Sequence, residues 1–160
     1  MAKIIGPQQM LSDQEFGQVF QLWNSEYPIG INYPSLETFQ EFLKNLGDKK
    51  HYLIKAGNEL SGWLMSFDRN DGRWFSIIIS PRHQKKGIGK ELLQFVMSHE
   101  QNLQGWVVDH DGDVKADGSP YPSPIDFYVK LGFGIYPEQR FEKPGISCVK
   151  IQQHEKAVHS

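Results

Sequence analysis

The sequence predicts one domain of the mixed α/β (α+β) class, on three observations. Two amphipathic helical patterns come first, within residues 12–47. Three strand-like segments joined by short turns follow them, an order typical of antiparallel neighbours. Helices and strands then alternate, and no repeat, low-complexity tract or linker interrupts them. We therefore expect a single domain over residues 1–160.

Local patterns define the elements of the first part. Residues 3–5 are a candidate edge strand. Ser12-Asp13-Gln14-Glu15 is the pattern of a capping box, in which Ser12 accepts from an N3 amide and Glu15 reaches back. It predicts the start of a helix that ends before residue 28, followed by a loop at residues 27–34. Ser35 caps a second helix, with Gly47 as its expected C′ residue.

The rest of the chain is richer in strands. Strand patterns cover residues 51–56, 60–67, 73–80 and 105–108. One helix is predicted over residues 87–101 and a shorter one over residues 125–131, with a polar stretch at residues 109–124 before the second. Two final strands are expected at residues 133–136 and 147–151.

Composition excludes several classes of protein. The formal net charge is −2 and the basic residues gather in one segment, which argues against nucleic acid as a partner. No apolar run exceeds three residues, so neither a membrane span nor a membrane partner is predicted. The single cysteine, Cys148, cannot form an internal disulfide, and no Cys or His cluster has metal-site spacing. We expect a cytoplasmic protein with no metal.

A short basic segment separates the third strand from the next helix. Arg82, His83, Lys85, Lys86 and Lys90 occur there without an acidic residue. Such a segment in a mildly acidic protein is either a site for a small anion or a solvated basic loop.

Gly87 and Gly89 stand where that helix begins. Glycine lets the backbone approach a ligand, and a helix N-terminus directs unpaired amides at it, so phosphate is the natural guest. A plain tight turn is the alternative. Two better-known phosphate motifs fail, because Leu92 replaces the third glycine of a dinucleotide fingerprint and Gln84 and Glu91 break the P-loop pattern.

Two segments give a more specific resemblance. Residues 84–89, Gln-Lys-Lys-Gly-Ile-Gly, resemble the Gln/Arg-x-x-Gly-x-Gly/Ala pyrophosphate loop of the GNAT N-acetyltransferase superfamily. Residues 127–133, Phe-Tyr-Val-Lys-Leu-Gly-Phe, match the Phe-Tyr-x-Lys-x-Gly-Phe segment of the same superfamily. The segments occur in the family order, and the order of elements matches along nearly the whole chain. The resemblance implies a GNAT fold, with a mixed central sheet of about six or seven strands flanked by about four helices.

The resemblance also implies acetyl-CoA as co-substrate. Ile77, Ile78 and Ile79 would offer backbone groups to the pantetheine arm, although three isoleucines also suit a plain core. The pyrophosphate would be held, chiefly through backbone amides, by Gln84, Lys85, Lys86, Gly87, Ile88, Gly89 and Lys90.

Tyr128 is the implied catalytic residue. In the family, a tyrosine at this position commonly lies near the CoA sulfur and donates a proton or a hydrogen bond to the departing thiolate. A phenol of pKa about 10 is a credible acid for a thiolate whose thiol titrates at about 8.5. The alternative is a structural aromatic at a helix–sheet junction.

The sequence departs from the family before this segment. Tyr121 and Pro124 stand where many members have Asn and Ala, so the usual Asn contact to the cofactor arm is in doubt. The polar stretch at residues 109–124 is longer than usual and is either a lid over the acceptor site or a surface insertion. Its aspartates, at positions 109, 111, 113 and 117, either favour a cationic amine or are solvated acids.

No motif identifies a general base. Glu26 and Asp109 are the candidates, and Cys148 is interpreted as a buried structural thiol. The family's acceptor region corresponds to residues 23–35 and the late-strand loops.

Two hypotheses follow. The first is direct transfer of an acetyl group from acetyl-CoA to the primary amine of a small molecule or peptide. The second is a CoA-binding or regulatory module of the same fold without turnover. Exposed edge strands are compatible with a homodimer.

Overall fold

A computed structural model describes residues 3–70, 72–84 and 86–154. The helices are α1 (Asp13–Glu26), α2 (Leu36–Lys44), α3 (Ile88–Met97) and α4 (Ile125–Lys130), and two short 3-10 helices lie at Ile29–Ile31 and Pro81–His83. The strands are β1 (Lys3–Gln8), β2 (Gly47–Ala56), β3 (Glu59–Arg69), β4 (Gly72–Ile79), β5 (Gln104–Val108), β6 (Asp113–Val114), β7 (Pro120–Tyr121), β8 (Phe133–Lys143) and β9 (Ile146–Gln153).

Both N-terminal helices begin at the residues that the sequence predicts. Ser12 Oγ accepts from the backbone N–H of Glu15 at 3.1 Å, and the Ser12 N–H donates to Glu15 Oε1 at 2.9 Å. Ser35 and Thr38 form the same reciprocal pair at the start of α2. Each pair satisfies amides that a helix N-terminus leaves without intrahelical partners, which fixes where the helix begins.

Seven strands form the central sheet, in the order β1-β2-β3-β4-β5-β9-β8. All neighbours are antiparallel except β4 and β5, which run parallel. Their ladder contains one residue pair, Trp74 with Gln104, at the start of both strands. Beyond that pair the two strands diverge and leave a gap in the middle of the sheet. The mixed sheet and four α-helices confirm the predicted fold class.

The core has a layer on each face of this sheet. The first contains buried side chains of α3 and α4, among them Leu92, Val96 and Tyr128. The second packs α1 and α2 against the sheet through Val19, Trp23, Phe39 and others. Side chains alternate between the faces along β4, so Ile77 belongs to the first layer and Ile78 to the second.

Several element boundaries differ from the predictions. Gly47 is not a C′ residue, because Asn45 ends α2 with ordinary right-handed geometry and Gly47 pairs with Asp68 in the β2–β3 ladder. Helix α3 ends at Met97 instead of residue 101. The Ser98 and His99 side chains both contact the Phe95 carbonyl there, and such local bonds compete with helix continuation.

The two largest differences lie in polar segments. Strand β8 runs on to Lys143, past Pro137, as an edge strand whose register against β9 shifts between Tyr136 and Arg140. Proline and charged residues are tolerated at an edge position and at a shifted register. The sequence of this part of β8 therefore lacks the usual strand pattern. The stretch at residues 109–124 contains a small hairpin of β6 and β7.

Candidate active site

A cavity of about 1040 Å³ passes through the gap between β4 and β5. On the α3–α4 side it is lined by Gly87, Gly89, Phe127 and Tyr128. On the α1–α2 side its walls come from both helices, the 3-10 segment, the strands and the β8–β9 turn. The cavity therefore connects the loop at residues 84–89, here called the glycine loop, with the opposite face of the sheet.

The edge of β4 along the gap is formed by Ile77 and Ile79. The Ser80 N–H donates to the Ser61 carbonyl, so the alternating backbone groups of Ile78 also face β3. The carbonyls of Ile77 and Ile79 point the other way: they accept from Tyr27 Oη and from Gln84 Nε2, both at 2.9 Å. These two bonds keep the edge of β4 in place where β5 moves away from it.

The loop after β4 is shaped by its glycines. Gly87 is the N-cap of α3 with φ of 79°, a left-handed conformation that L side chains rarely adopt. A methyl group at Gly89 would lie 3.4 Å from Ile79 and from the Phe127 ring. The loop therefore brings backbone amides of the first turn of α3 to the cavity wall without side chains in the way.

Most residues of the predicted cofactor site come together in this cavity. Ile77, Ile79, Gln84, Gly87, Gly89, Lys90 and Tyr128 all line it. Ile78, Lys86 and Ile88 are not among the lining residues, and Lys85 lies outside the described residues. Their assignment to cofactor binding remains a prediction.

Tyr128 sits in the wall of the cavity, held by aromatic rings. Phe75, Phe127 and Phe133 pack around it with ring centroids 5.9, 5.1 and 5.7 Å away. Burial, and secondarily the nearby Tyr121, raises the pKa of Tyr128 well above 10, so its hydroxyl is protonated at neutral pH. Tyr121, which stands where many GNAT members have Asn, lines the same cavity from β7.

The two candidate bases have different surroundings. Asp109 forms a two-point ion pair with Arg140, at 2.9 and 3.0 Å, which lowers the pKa of the carboxyl group and makes it a poor base. Glu26 is buried at the end of α1, where Oε1 accepts from Gln84 Nε2 and Lys115 Nζ, both at 3.2 Å. It therefore joins α1, the glycine loop and the β6–β7 hairpin.

Cys148 also lines the cavity, as a buried free thiol. Burial raises its pKa to about 12, helped by Asp113 and Asp109. A thiol with that pKa is neutral at physiological pH and a poor nucleophile. Its chemistry agrees with the structural role expected from the sequence.

The loop at residues 28–34 is fixed to α1. Asn24 exchanges two hydrogen bonds with the backbone of Tyr33, and Trp23 Nε1 donates to the Ile31 carbonyl. A methyl group at Gly30 would overlap the carbonyl oxygen of Gly145, so this loop and the β8–β9 turn touch. Both segments line the cavity, on the side away from the glycine loop.

Sequence reasoning missed one part of this site. Trp74, Trp106 and Phe141 line the cavity from β4, β5 and β8, which the sequence separates widely. No linear motif connects them, because they come together through the pairing of β4 with β5, of β5 with β9 and of β9 with β8.

Two further findings concern the described part of the chain. Residues 3–70, 72–84 and 86–154 contain no group of three or more His, Cys, Asp or Glu side chains placed to hold a metal ion. No helix within the same ranges is long and apolar enough to cross a membrane.

A parallel strand pair that diverges beside a glycine-rich helix start agrees with the fold that the resemblance of the two sequence segments implies. The chain belongs to the acetyltransferase (GNAT) family, whose model matches residues 16–133. A comparison with curated proteins gave no significant match.

Solved structures share this fold over nearly the whole chain. The smu.2055 protein from Streptococcus mutans UA159 is 22% identical, with a TM-score of 0.64 over 94% of this chain and 97% of its own. An aminoglycoside 6'-N-acetyltransferase complexed with coenzyme A is 14% identical, with a TM-score of 0.67 and coverage of 94% and 96%. Salmonella typhimurium yncA, with its cofactor acetyl-CoA, is 14% identical, with a TM-score of 0.64 and coverage of 100% and 98%. At these identities the similarities establish the fold alone.

Proposed function

We propose that the protein is an N-acetyltransferase that transfers the acetyl group of acetyl-CoA directly to a primary amine. The observation that carries the proposal is the single cavity through the β4–β5 gap, with the glycine loop at one side and Tyr128 in its wall. The coenzyme A and acetyl-CoA present in two structures of this fold support the choice of co-substrate.

The cofactor would lie along the free edge of β4. Its pantetheine arm would run past Ile77 and Ile79, whose backbone groups face the gap. Its pyrophosphate would rest against the amides of the loop and the start of α3, near Gly87 and Gly89. Lys90 adds a positive charge to the same wall.

The reaction would proceed without an acyl-enzyme. The neutral amine attacks the thioester carbon, the C–S bond breaks as the C–N bond forms, and the amine proton leaves to water or a base. Burial keeps the Tyr128 hydroxyl protonated by raising its pKa, and the same shift disfavours full proton transfer to a thiolate, so Tyr128 would act by donating a hydrogen bond to the departing sulfur. The neutral thiol of Cys148 supports direct transfer, because it is not poised to accept the acetyl group.

Substitution of Tyr128 tests the catalytic assignment. Tyr128→Phe keeps the ring and removes the hydroxyl, so we expect kcat to fall by about 10²-fold while the Kd for acetyl-CoA stays within about twofold. Calorimetric titration gives the Kd and release of free CoA gives the rate. Tyr136→Phe, outside the cavity, is the matched control and should leave both values unchanged. Full activity of Tyr128→Phe would show that the hydroxyl has no role in transfer.

Substitution of Gly87 tests the cofactor site. Gly87→Glu strains a left-handed residue and places negative charge beside the expected pyrophosphate, so the affinity for acetyl-CoA should fall by at least about tenfold. Gly57→Glu is the control, because Gly57 is also left-handed, has open space around it and lies outside the cavity. Equal affinities of the two folded variants would contradict this placement.

A CoA-binding module without turnover is the second candidate. Binding of acetyl-CoA, but not of ATP, together with no acetyl transfer to any amine would support it. The missing family Asn, replaced by Tyr121, and the absence of an assigned base favour testing it directly. The cytoplasmic location and the homodimer remain predictions.

A further inference from the structure

The acceptor side of the cavity has two aromatic walls. Trp23, Tyr33 and Phe42 form the wall from α1, the following loop and α2, with ring centroids 5.2 to 5.9 Å apart. Trp74, Trp106 and Phe141 form the wall from the sheet, where Trp106 lies 5.2 Å from Trp74 and 5.8 Å from Phe141. All six line the cavity, so a molecule bound there would contact aromatic side chains of both sets.

Each wall carries one positive charge. The Arg69 guanidinium is close enough to Tyr33 to offset part of the effect of burial, which raises the pKa of Tyr33 to about 12. Lys143 Nζ lies 5.1 Å from the centre of the Phe141 ring. Both residues line the cavity, and neither forms an ion pair with another residue of the described ranges.

The described lining of the cavity contains no acidic side chain to balance these two positive charges. None of the described residues that line the cavity is an aspartate or a glutamate. Asp109 pairs with Arg140, Asp111 accepts from the Ser123 amide and Asp117 accepts from Ser119, so these acids fasten the loop. Burial and the remaining aspartate, Asp113, raise the pKa of Cys148 and Tyr121, so the negative field of this stretch acts on those two lining residues, whereas the aromatic walls carry Arg69 and Lys143.

We infer that the amine acceptor is a small aromatic molecule that also carries a carboxylate, such as an aromatic α-amino acid. The ring would lie between the two walls, the carboxylate would pair with Arg69 and Lys143, and the amine would point to the gap. This inference rests on the proposed acetyl transfer. The contact between Gly30 and Gly145 brings two lining loops together at this side, which favours a compact acceptor over a continuing chain.

Four amines that have a ring, a carboxylate, both or neither test the two parts of this inference separately. L-tryptophan, tryptamine, L-alanine and spermidine are compared as acceptors at saturating acetyl-CoA. We expect kcat/KM to be highest for L-tryptophan, by about tenfold or more over each of the others, since a hydrogen-bonded charge pair or a buried ring is worth at least that factor. A higher value for spermidine, tryptamine or L-alanine would overturn the inference.

A double variant tests the two basic residues. Arg69→Gln with Lys143→Gln should lower kcat/KM for L-tryptophan by about tenfold more than for tryptamine. For each acceptor the variant is compared with the parent protein, so any difference in amine basicity between the two acceptors cancels. Lys3→Gln with Lys44→Gln removes the same charge from exposed residues outside the cavity and should leave the ratio unchanged. An equal effect on both acceptors would contradict the carboxylate contact.

Failure of this inference differs from failure of the proposed function. Acetyl-CoA that binds and is transferred to another amine would overturn the acceptor class alone. Binding of acetyl-CoA with no transfer to any of the four amines would also overturn it, and the cofactor site would stand. No binding of acetyl-CoA to the folded protein would overturn the proposed function itself.

Discussion

His51 on β2 shows how one buried side chain can govern the response of the protein to acid. It is 2% exposed, and its Nδ1 accepts a hydrogen bond from Trp63 Nε1 at 3.0 Å. Its pKa is lowered to about 4, chiefly by burial and also by Lys49, while Glu15 opposes the change. Because the acceptor nitrogen would be lost on protonation, the folded state requires the neutral ring.

This environment predicts a loss of stability in mild acid. The unfolded chain binds the proton near the usual pKa of about 6.5, while the folded chain binds it only near 4. The free energy of unfolding should therefore be fully retained above pH 6.5 and fall by up to about 3 kcal/mol as the pH drops towards 4. Urea titrations at several pH values measure it.

The matched variants for this prediction are His51→Gln and His99→Gln. Glutamine at position 51 offers an acceptor to Trp63 without a proton site, so its unfolding free energy should depend less on pH between 6.5 and 4. His99 is exposed, and its replacement should keep the slope of the parent protein. Identical slopes for all three proteins would show that His51 is not responsible.

At the scale of the elements, the β6–β7 hairpin is attached to the rest of the site by one ion pair. Lys115, on the connection between its strands, donates to the buried Glu26 at the end of α1. The same Glu26 oxygen accepts from Gln84, which also holds the end of β4. The hairpin, the glycine loop and α1 are therefore positioned by a shared carboxylate.

Removal of the charge on Lys115 should loosen that hairpin. Lys115→Met keeps most of the aliphatic stem but leaves Glu26 without its ammonium partner, and we expect amide exchange at residues 113–121 to become about tenfold faster. Lys55→Met breaks another ion pair, with Glu15, and serves as the control. Exchange that is unchanged in Lys115→Met would mean that backbone and packing contacts alone hold the hairpin.

The elements also differ in how well the sequence predicts them. The capped helices and the strands of the antiparallel half follow from local patterns, because Ser12, Ser35 and the apolar alternation act over a few residues. The β6–β7 hairpin and the far half of β8 do not. Each strand of the hairpin has only two residues, too few for a recognisable pattern. The far half of β8 is mostly polar and exposed, and long-range pairing such as Arg140 with Val149 stabilises it.

At the scale of the whole molecule, the candidate site draws on almost the entire chain. Local motifs predict the glycine loop and Tyr128, and seven of the predicted residues meet at the cavity. The aromatic walls could not be predicted, because their rings are supplied by elements from α1 to β8. We infer that the described chain forms one domain, since β1 and β9 belong to the same sheet.

The single residue pair between β4 and β5 has a consequence for cooperativity. Backbone hydrogen bonds join β1, β2, β3 and β4 on one side and β5, β9 and β8 on the other. Among the described residues, only Trp74 and Gln104 pair across the boundary. Side-chain packing supplies the remaining coupling between the halves. A ligand that fills the gap and contacts both halves would therefore raise the temperature of unfolding and make the two halves unfold together.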